Sequence, residues 1–385
     1  MFADDRRDVL AARTRRVDRL TDAMSRLTEQ VDRLDRRLDV LDGPFTTELR
    51  REIVELEWGG RRRKTFARKL RESAGRLAQH RTVRDRVVAR LRQIARGDAP
   101  ILVGPWTGEV GFELLYWAPF VRRVIERFDI DPGRVTVLSR GGTASWYGME
   151  GVRYLDILDL CTPEEFRLRT RKERKQRTVR VFDRMLIRRA RQHLAVRASL
   201  FHPAMMYALF EPYWVVKAPQ GWVDEFTTFE GVVPPVVPGL QLPQTYVAAR
   251  FYFSKCFPET PENRAHVRLL IERLAAQTDV VLLGSGVQLD EHREAVSQRP
   301  DRVHTVDDVL RPETNLAVQT AVIGGAQAFV GTYGGFSYLA PLCGVNAVAV
   351  YSRRNYYRHH LDLAQHVFRS IGGGSLTVVD VGTLQ

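Results

Sequence analysis

The amino-acid sequence predicts an α/β protein, with two Rossmann-like domains preceded by an N-terminal α-helical coiled coil. Three observations carry that prediction. Short apolar runs alternate with helical stretches from residue 98 onward, the pattern of a parallel sheet with crossover helices. The Pro-rich stretch Val232-Val233-Pro234-Pro235-Val236-Val237-Pro238-Gly239 divides that series into two halves, 98–240 and 241–385. Residues 9–42 carry an unbroken heptad pattern. A chain of 385 residues is long enough for two domains with cores of their own.

The heptad seam is Val17, Leu20, Met24, Leu27, Val31, Leu34, Leu38 and Leu41, at alternating spacings of three and four. Mostly Val at a, with Leu at every d, favours a parallel two-stranded coil, and Arg37 and Asp42 would pair across it. At about 1.5 Å per residue the seam spans roughly 40 Å. The same stripe would also suit an amphipathic helix folded back on its own domain. Gly43-Pro44 ends it, which makes 1–44 an oligomerisation helix, with a dimer favoured. Residues 45–97 read as a basic helical linker region: one helix over about 46–57, a stop at Gly59-Gly60, then a basic helix over 61–96.

In the first half, Ile101–Val103, Val135–Leu138 and Tyr154–Leu158 are the expected strands, Gly111–Phe128 a helix, and 163–215 further helices. The second half opens with strand Tyr246–Phe251 and helix Glu262–Gln277, then strands Val280–Leu283 and Val303–Thr305. Helix Asn315–Ala326, strand Ala328–Val330, helix Ser337–Leu342 and strand Ala347–Tyr351 follow.

The net charge of +13 is concentrated in two segments. Residues 61–97 hold 14 Lys/Arg against two acidic residues, and 167–191 hold 12 against two, so the remainder of the chain is net acidic. Only six of the 59 basic residues are lysine, so part of the arginine content reflects general composition. These segments suit an anionic membrane surface, or a plain solvated helix face. Nucleic acid is a poorer match, since no base-reading motif accompanies the charge. There is no long apolar run that would span a bilayer and no secretory leader pattern. Cys161, Cys256 and Cys343 are odd in number and far apart, which suits a reducing compartment and neither a disulfide framework nor a zinc site. The expected location is the cytoplasm, with peripheral contact at the inner face of the plasma membrane.

The densest motif is Gly331-Thr332-Tyr333-Gly334-Gly335-Phe336-Ser337, a small-residue turn between a strand and a helix. Glycines there let backbone approach a ligand, and free N–H groups at a helix start favour an anion. They would equally serve tight packing. Arg250 and Lys255, at the end of the second half's first strand, are suited to phosphate or to plain surface charge. Gly284-Ser285-Gly286 closes a neighbouring strand, a weak G-x-G signal without its third glycine. In the first half, Gly104-Pro105-Trp106-Thr107-Gly108-Glu109 leads into a helix, placing Glu109 and Glu113 at i and i+4. Either carboxylate could act as general base or complement the helix dipole. His202 is a further base or acceptor-binding candidate, and Arg140 would meet an acidic or phosphorylated acceptor. Asp129-Ile130-Asp131 falls in a loop and is not assigned a metal. No GxxxxGK[ST], HExxH or GxSxG occurs, which excludes P-loop, zincin and α/β-hydrolase chemistry.

The run Gly331–Ser337, followed by Ala340-Pro341-Leu342-Cys343-Gly344-Val345 and strand Ala347–Tyr351, resembles the donor-site segment of GT-B glycosyltransferases. The likeness is to bacterial heptosyltransferase-like and fucosyltransferase-like enzymes, with Asn346 where proline is common. It implies a GT-B architecture, an acceptor domain over 98–240 and a nucleotide-sugar donor domain over 241–385. It also implies a metal-independent, inverting sugar transfer with no cofactor beyond the nucleotide-sugar substrate, and a cell-envelope glycan or lipid-linked acceptor. A basic residue at the position of Arg250 or Lys255 would hold the diphosphate. The competing expectation is a non-catalytic coiled-coil scaffold or binding protein on the same fold.

Overall fold

A computed structural model describes residues 81–170, 175–215, 220–284, 293–294, 301–356 and 358–383. The heptad seam, the helix expected over 46–57 and basic residues 61–80 lie outside the described residues, as do Ser285 and Gly286. Residues 80–385 form one compact unit.

The first sheet is built from β1 (Ile101–Val103), β2 (Val135–Ser139), β3 (Arg153–Asp156) and β4 (Ser199–Phe201), in the order β3-β2-β1-β4. All its pairings are parallel. The second half contributes β5 (Tyr246–Arg250), β6 (Tyr252–Phe253), β7 (Asp279–Leu282), β8 (Arg293–Glu294), β9 (Val303–Thr305), β10 (Ala328–Thr332), β11 (Ala347–Tyr351) and β12 (Leu376–Asp380). Six of these form a parallel sheet, β12-β11-β10-β5-β7-β9, while β6 and β8 make a separate antiparallel pair. Every residue of β1, β2 and β5 is buried, as expected for parallel strands covered on both faces by helices.

The helices are α1 (81–96), α2 (Val110–Phe112, Glu113–Trp117 and Ala118–Arg127 in one continuous run), α3 (Ala144–Tyr147), α4 (Pro163–Thr170), α5 (Val181–His193), α6 (Ala204–Val215) and α7 (Gly221–Asp224). The second half adds α8 (Pro261–Ala275), α9 (Asn315–Gly324), α10 (Gly335–Leu342) and α11 (Arg358–Ser370). The middle of α2, Glu113–Trp117, is a π-helical turn. Pro119 explains it: proline has no N–H to return to the carbonyl four residues back, and a widened turn absorbs the missing bond.

Four departures from the sequence-based elements have local causes. The stretch 163–215 is not wholly helical: Ser199–Phe201 is β4, pairing with β1 through Ile101↔Ser199 and Val103↔Phe201. Ser199-Leu200-Phe201 follows helix α5 closely and opens on a polar residue, so nothing local marks it as a strand and its pairing with β1 defines it. The strand expected over Tyr154–Leu158 stops at Asp156, whose carboxylate accepts the Leu158 N–H and starts a 3₁₀ turn. Helix α11 and strand β12 complete the second sheet beyond the last element anticipated. The Pro-rich stretch is not a loose tether: Val232 is buried and donates to the Leu342 carbonyl at 2.8 Å, and Pro234 packs against Gly324.

A single apolar cluster runs through both halves, joining Trp106, Trp117 and Phe210 to Phe329, Leu339 and Val367. Helix α11 reaches back to the first half. The Tyr213 hydroxyl donates to the His359 carbonyl at 2.9 Å, and Tyr116 Oη lies 2.5 Å from His360 Nδ1.

Candidate functional site

Open parallel sheets bind ligands where the strand order reverses, beyond the C-terminal ends of the strands. In the first sheet that point lies between β1 and β4; in the second it lies between β5 and β10. The expected site residues sit at these places. Gly104–Glu109 follows β1 and His202 follows β4, while Arg250 ends β5, Thr332 ends β10 and Tyr333–Ser337 follows it.

The two switch points meet. A Cβ on Gly335 would lie 2.7 Å from the Gly111 nitrogen and 2.9 Å from Val110 Cγ1, so the first turns of α2 and α10 touch through glycine. Both are helix N-termini, each carrying about half a positive charge. Arg250 adds a full one. Its guanidinium lies 3.8 Å from the centre of the Phe336 ring, in the first turn of α10, and the residue is only 7% exposed. Gly331 sits opposite Arg250 in the β5–β10 register, where a side chain would strike the Arg250 carbonyl. Two helix starts and the buried Arg250 guanidinium thus lie close together, with the Glu109 carboxylate at the first of those starts, and helix starts favour an anion.

The remaining turn residues are engaged in holding its shape. Ser337 Oγ accepts from the Gly334 N–H (3.2 Å) and donates to the Gly334 carbonyl (2.7 Å). Thr332 Oγ1 bridges to the Tyr252 backbone, accepting its N–H at 3.1 Å and donating to its carbonyl at 3.0 Å. Tyr333 and Tyr338 join hydroxyls at 2.6 Å. Burial pushes both phenols up, so they stay protonated. Lys255 is exposed on the loop after β6, while its neighbour Cys256 faces the Tyr333 carbonyl. Gly284 follows β7, next to β5 on the same edge of the sheet.

On the other side, Glu109 and Glu113 part company. Glu109 has extended backbone and sits before the helix, exposed at the junction near Tyr207. Glu113 is wholly buried in the π turn. It accepts from Ser139 Oγ (2.5 Å), Tyr147 Oη (2.8 Å), Thr143 Oγ1 (3.4 Å) and Arg140 Nη1 (3.3 Å). Burial pushes its carboxyl above the usual range, opposed by Arg140 and by these hydrogen bonds. Arg140 also donates to the Gly108 carbonyl at 2.7 Å, tying Glu113 to the turn that carries Glu109.

A second buried network fixes the same turn, joining Thr107 and His202 to Gln176, Arg180 and Asp183, which the sequence did not single out. Gln176 accepts the Thr107 N–H (2.9 Å) and donates to the Pro105 carbonyl (2.8 Å). Arg180 donates to Thr107 Oγ1 at 2.7 Å and pairs with Asp183. His202 is 2% exposed: its Nδ1 accepts the Ala204 N–H at 3.0 Å and its Nε2 lies 3.5 Å from Asp183. His202 and Arg140 are therefore placed to hold the turn rather than to reach outward. Lys175 lies 5.5 Å from the Phe112 ring, beside the junction. The basic composition of 167–191 was the only signal for Gln176, Arg180 and Asp183. The Asp129–Asp131 pair lies before β2, at the opposite end of the strands from the switch point.

Among solved structures, the chain is similar to the ADP-heptose LPS heptosyltransferase II of E. coli: 13% identity, 73% of this chain, 90% of that chain, TM-score 0.39. It is also similar to a family 9 glycosyltransferase from Veillonella parvula (13%, 74% and 87%, 0.38) and to the E. coli heptosyltransferase WaaC with ADP (12%, 74% and 91%, 0.38). These neighbours are glycosyltransferases. No family profile and no curated protein sequence matches the chain. At this level of likeness the chemistry has to rest on the chain's own residues.

Proposed function

We propose that the protein transfers a sugar from a nucleotide-sugar to a cell-envelope glycan or lipid-linked acceptor, without a metal and with inversion. The observation that carries this is the meeting of the two switch points, with Arg250, at the end of β5, buried against Phe336 in the first turn of α10. A nucleoside diphosphate is the anion that suits it. As the bond from the anomeric carbon to the phosphate oxygen breaks, charge grows on the diphosphate, and Arg250 with the α10 N-terminus would stabilise it. The acceptor oxygen bonds to the anomeric carbon on the opposite face, and its proton passes to Glu109, the exposed carboxylate at the junction. Glu113, Arg140 and His202 would act as positioning residues behind Glu109. Lys255 and Gly284 would line the nucleotide.

Oligomerisation through residues 9–42 and contact with an anionic membrane surface through the basic segments belong to the same proposal, with the cytoplasm as the compartment. A non-catalytic scaffold is the second reading, and the direct contact of Gly111 with Gly335 is the observation on its side.

The test is thermal unfolding with UDP, GDP, ADP and CDP. One of them, at about 100 times its Kd, should stabilise the protein by about 2.7 kcal/mol, and Arg250→Ala should abolish the rise in Tm. No rise with any of the four would overturn nucleotide binding. A rise without sugar transfer from any matching donor would favour the scaffold, and a fully active Glu109→Gln protein would remove Glu109 as base.

A further inference from the structure

Away from the junction, α5 and the chain leading into β4 form an open cavity of about 400 Å³ at the surface. Its rim is arginine: Arg184, Arg188 and Arg191 from α5, with Arg197 just before β4. Its floor is apolar, formed by Val179, Ile187, Val196 and Leu200. Spacings of four and three put the three helical arginines on one face of α5, and Val181, 74% exposed, continues that stripe toward the helix start. Like charges one turn apart repel on a helix. Among the described residues none of the four arginines has a carboxylate partner; Arg191 donates to the Ala198 carbonyl at 2.7 Å. β4 is also an edge strand, so one side of the cavity wall is open.

A rim of guanidinium groups without a carboxylate partner among the described residues, over an apolar floor, selects for two things at once: an anionic oxygen cluster, which arginine forks match, and a hydrocarbon chain attached to it. A free nucleic-acid phosphate would satisfy the rim and leave the floor wet. We propose that this cavity takes the phosphate headgroup of an anionic bilayer lipid, with the start of its acyl chain against the floor. This deepens the membrane contact in the function proposed above and is independent of which sugar moves. It also orients the molecule. Arg180, immediately before α5, bonds Thr107 in the site turn, and the 13-residue helix is about 20 Å long, so the lipid contact and the junction are tied to one rigid element.

The experiment uses the full chain and two probes. Octyl phosphate should raise Tm saturably, whereas inorganic phosphate and octyl glucoside should not. Vesicles of equimolar phosphatidylglycerol and phosphatidylcholine should bind the protein in flotation, and phosphatidylcholine alone should not. An arginine close to an anionic surface is worth about fivefold in partitioning, so Arg184→Gln/Arg188→Gln/Arg197→Gln should weaken vesicle binding about a hundredfold and remove the octyl phosphate response. The nucleotide response should be unchanged, which separates failure here from failure of the transferase reading and shows that the variant is folded. Arg268→Gln/Arg273→Gln/Arg369→Gln removes the same charge from exposed positions elsewhere and should weaken binding far less. Equal losses in the two triple variants would overturn the cavity, as would inorganic phosphate binding as well as octyl phosphate, vesicle binding abolished by competing duplex DNA, or no response to either probe.

Discussion

Gly335→Ala probes the contact on which the site depends. The added Cβ would fall 2.7 Å from the Gly111 nitrogen and 2.9 and 3.0 Å from Val110 Cγ1 and Cβ. Comfortable contacts begin near 3.5 Å, so α10 and the first turn of α2 must separate by about 0.5–1 Å. The nearest atom is backbone and the other two belong to Val110, a β-branched side chain with little freedom to yield. Overpacking of this kind costs about 1–3 kcal/mol, while the stiffer unfolded chain returns about 0.4–1 kcal/mol. The net is a loss of up to about 2.6 kcal/mol. At about 2–4 °C per kcal/mol, Tm should fall by up to about 10 °C in calorimetry. Gly221→Ala is the control: nothing lies within 4 Å of its Cβ, at the start of α7, so only the gain should appear. If Gly335→Ala melts as high as Gly221→Ala, the two helix starts are not in contact and the charge argument loses its basis.

Glu113→Ala should destabilise by about 3–5 kcal/mol in urea unfolding, because it leaves Arg140 buried beside an empty partner site. Glu113→Gln, which mimics the protonated form that burial favours, should cost less, and equal losses would refute the ion-pair role. Asp156 is pushed up to about 7 by burial, against two backbone N–H groups and the Tyr154 hydroxyl that favour its charge. Because its folded pKa exceeds the unfolded value of about 3.9, its contribution to stability is full below pH about 4 and is lost as pH rises through about 7. Asp156→Asn should flatten stability against pH in that window; an unchanged slope would refute it. Deleting residues 1–44 should lower the mass in solution, and an unchanged mass would refute oligomerisation through the heptads.

The strands were legible because each doubly covered parallel strand is a continuous apolar run, and such runs need no partner to be recognised. Ile101–Val103 and Ala347–Tyr351 match their expected bounds, as does the edge strand Val303–Thr305, which is not such a run. Ser199–Phe201 was not legible, since its register comes from β1 and not from its own three residues. The donor-side turn was visible as glycines and a serine, but not why each is there. Gly335 is needed because another helix starts against it, Gly331 because the Arg250 carbonyl does, and neither neighbour is local in sequence.

The pair Glu109 and Glu113 shows where spacing misleads. Four residues apart in a regular helix they would share a face, and nothing local in the sequence assigns them different fates. Glu109, however, precedes the helix with extended backbone, and Glu113 opens a π turn imposed from Pro119. The partners that keep Glu113 buried, Ser139, Arg140, Thr143 and Tyr147, arrive from the end of β2 and from α3, 26 to 34 residues away. That leaves Glu109 as the carboxylate with access to solvent, on a turn whose carbonyl at Gly108 is held by the same Arg140 that neutralises Glu113. A substitution at Glu113 therefore reaches Glu109 through Arg140. Loss of activity in Glu113→Ala would not make Glu113 the base; only Glu109→Gln, which leaves the buried network intact, separates the two roles.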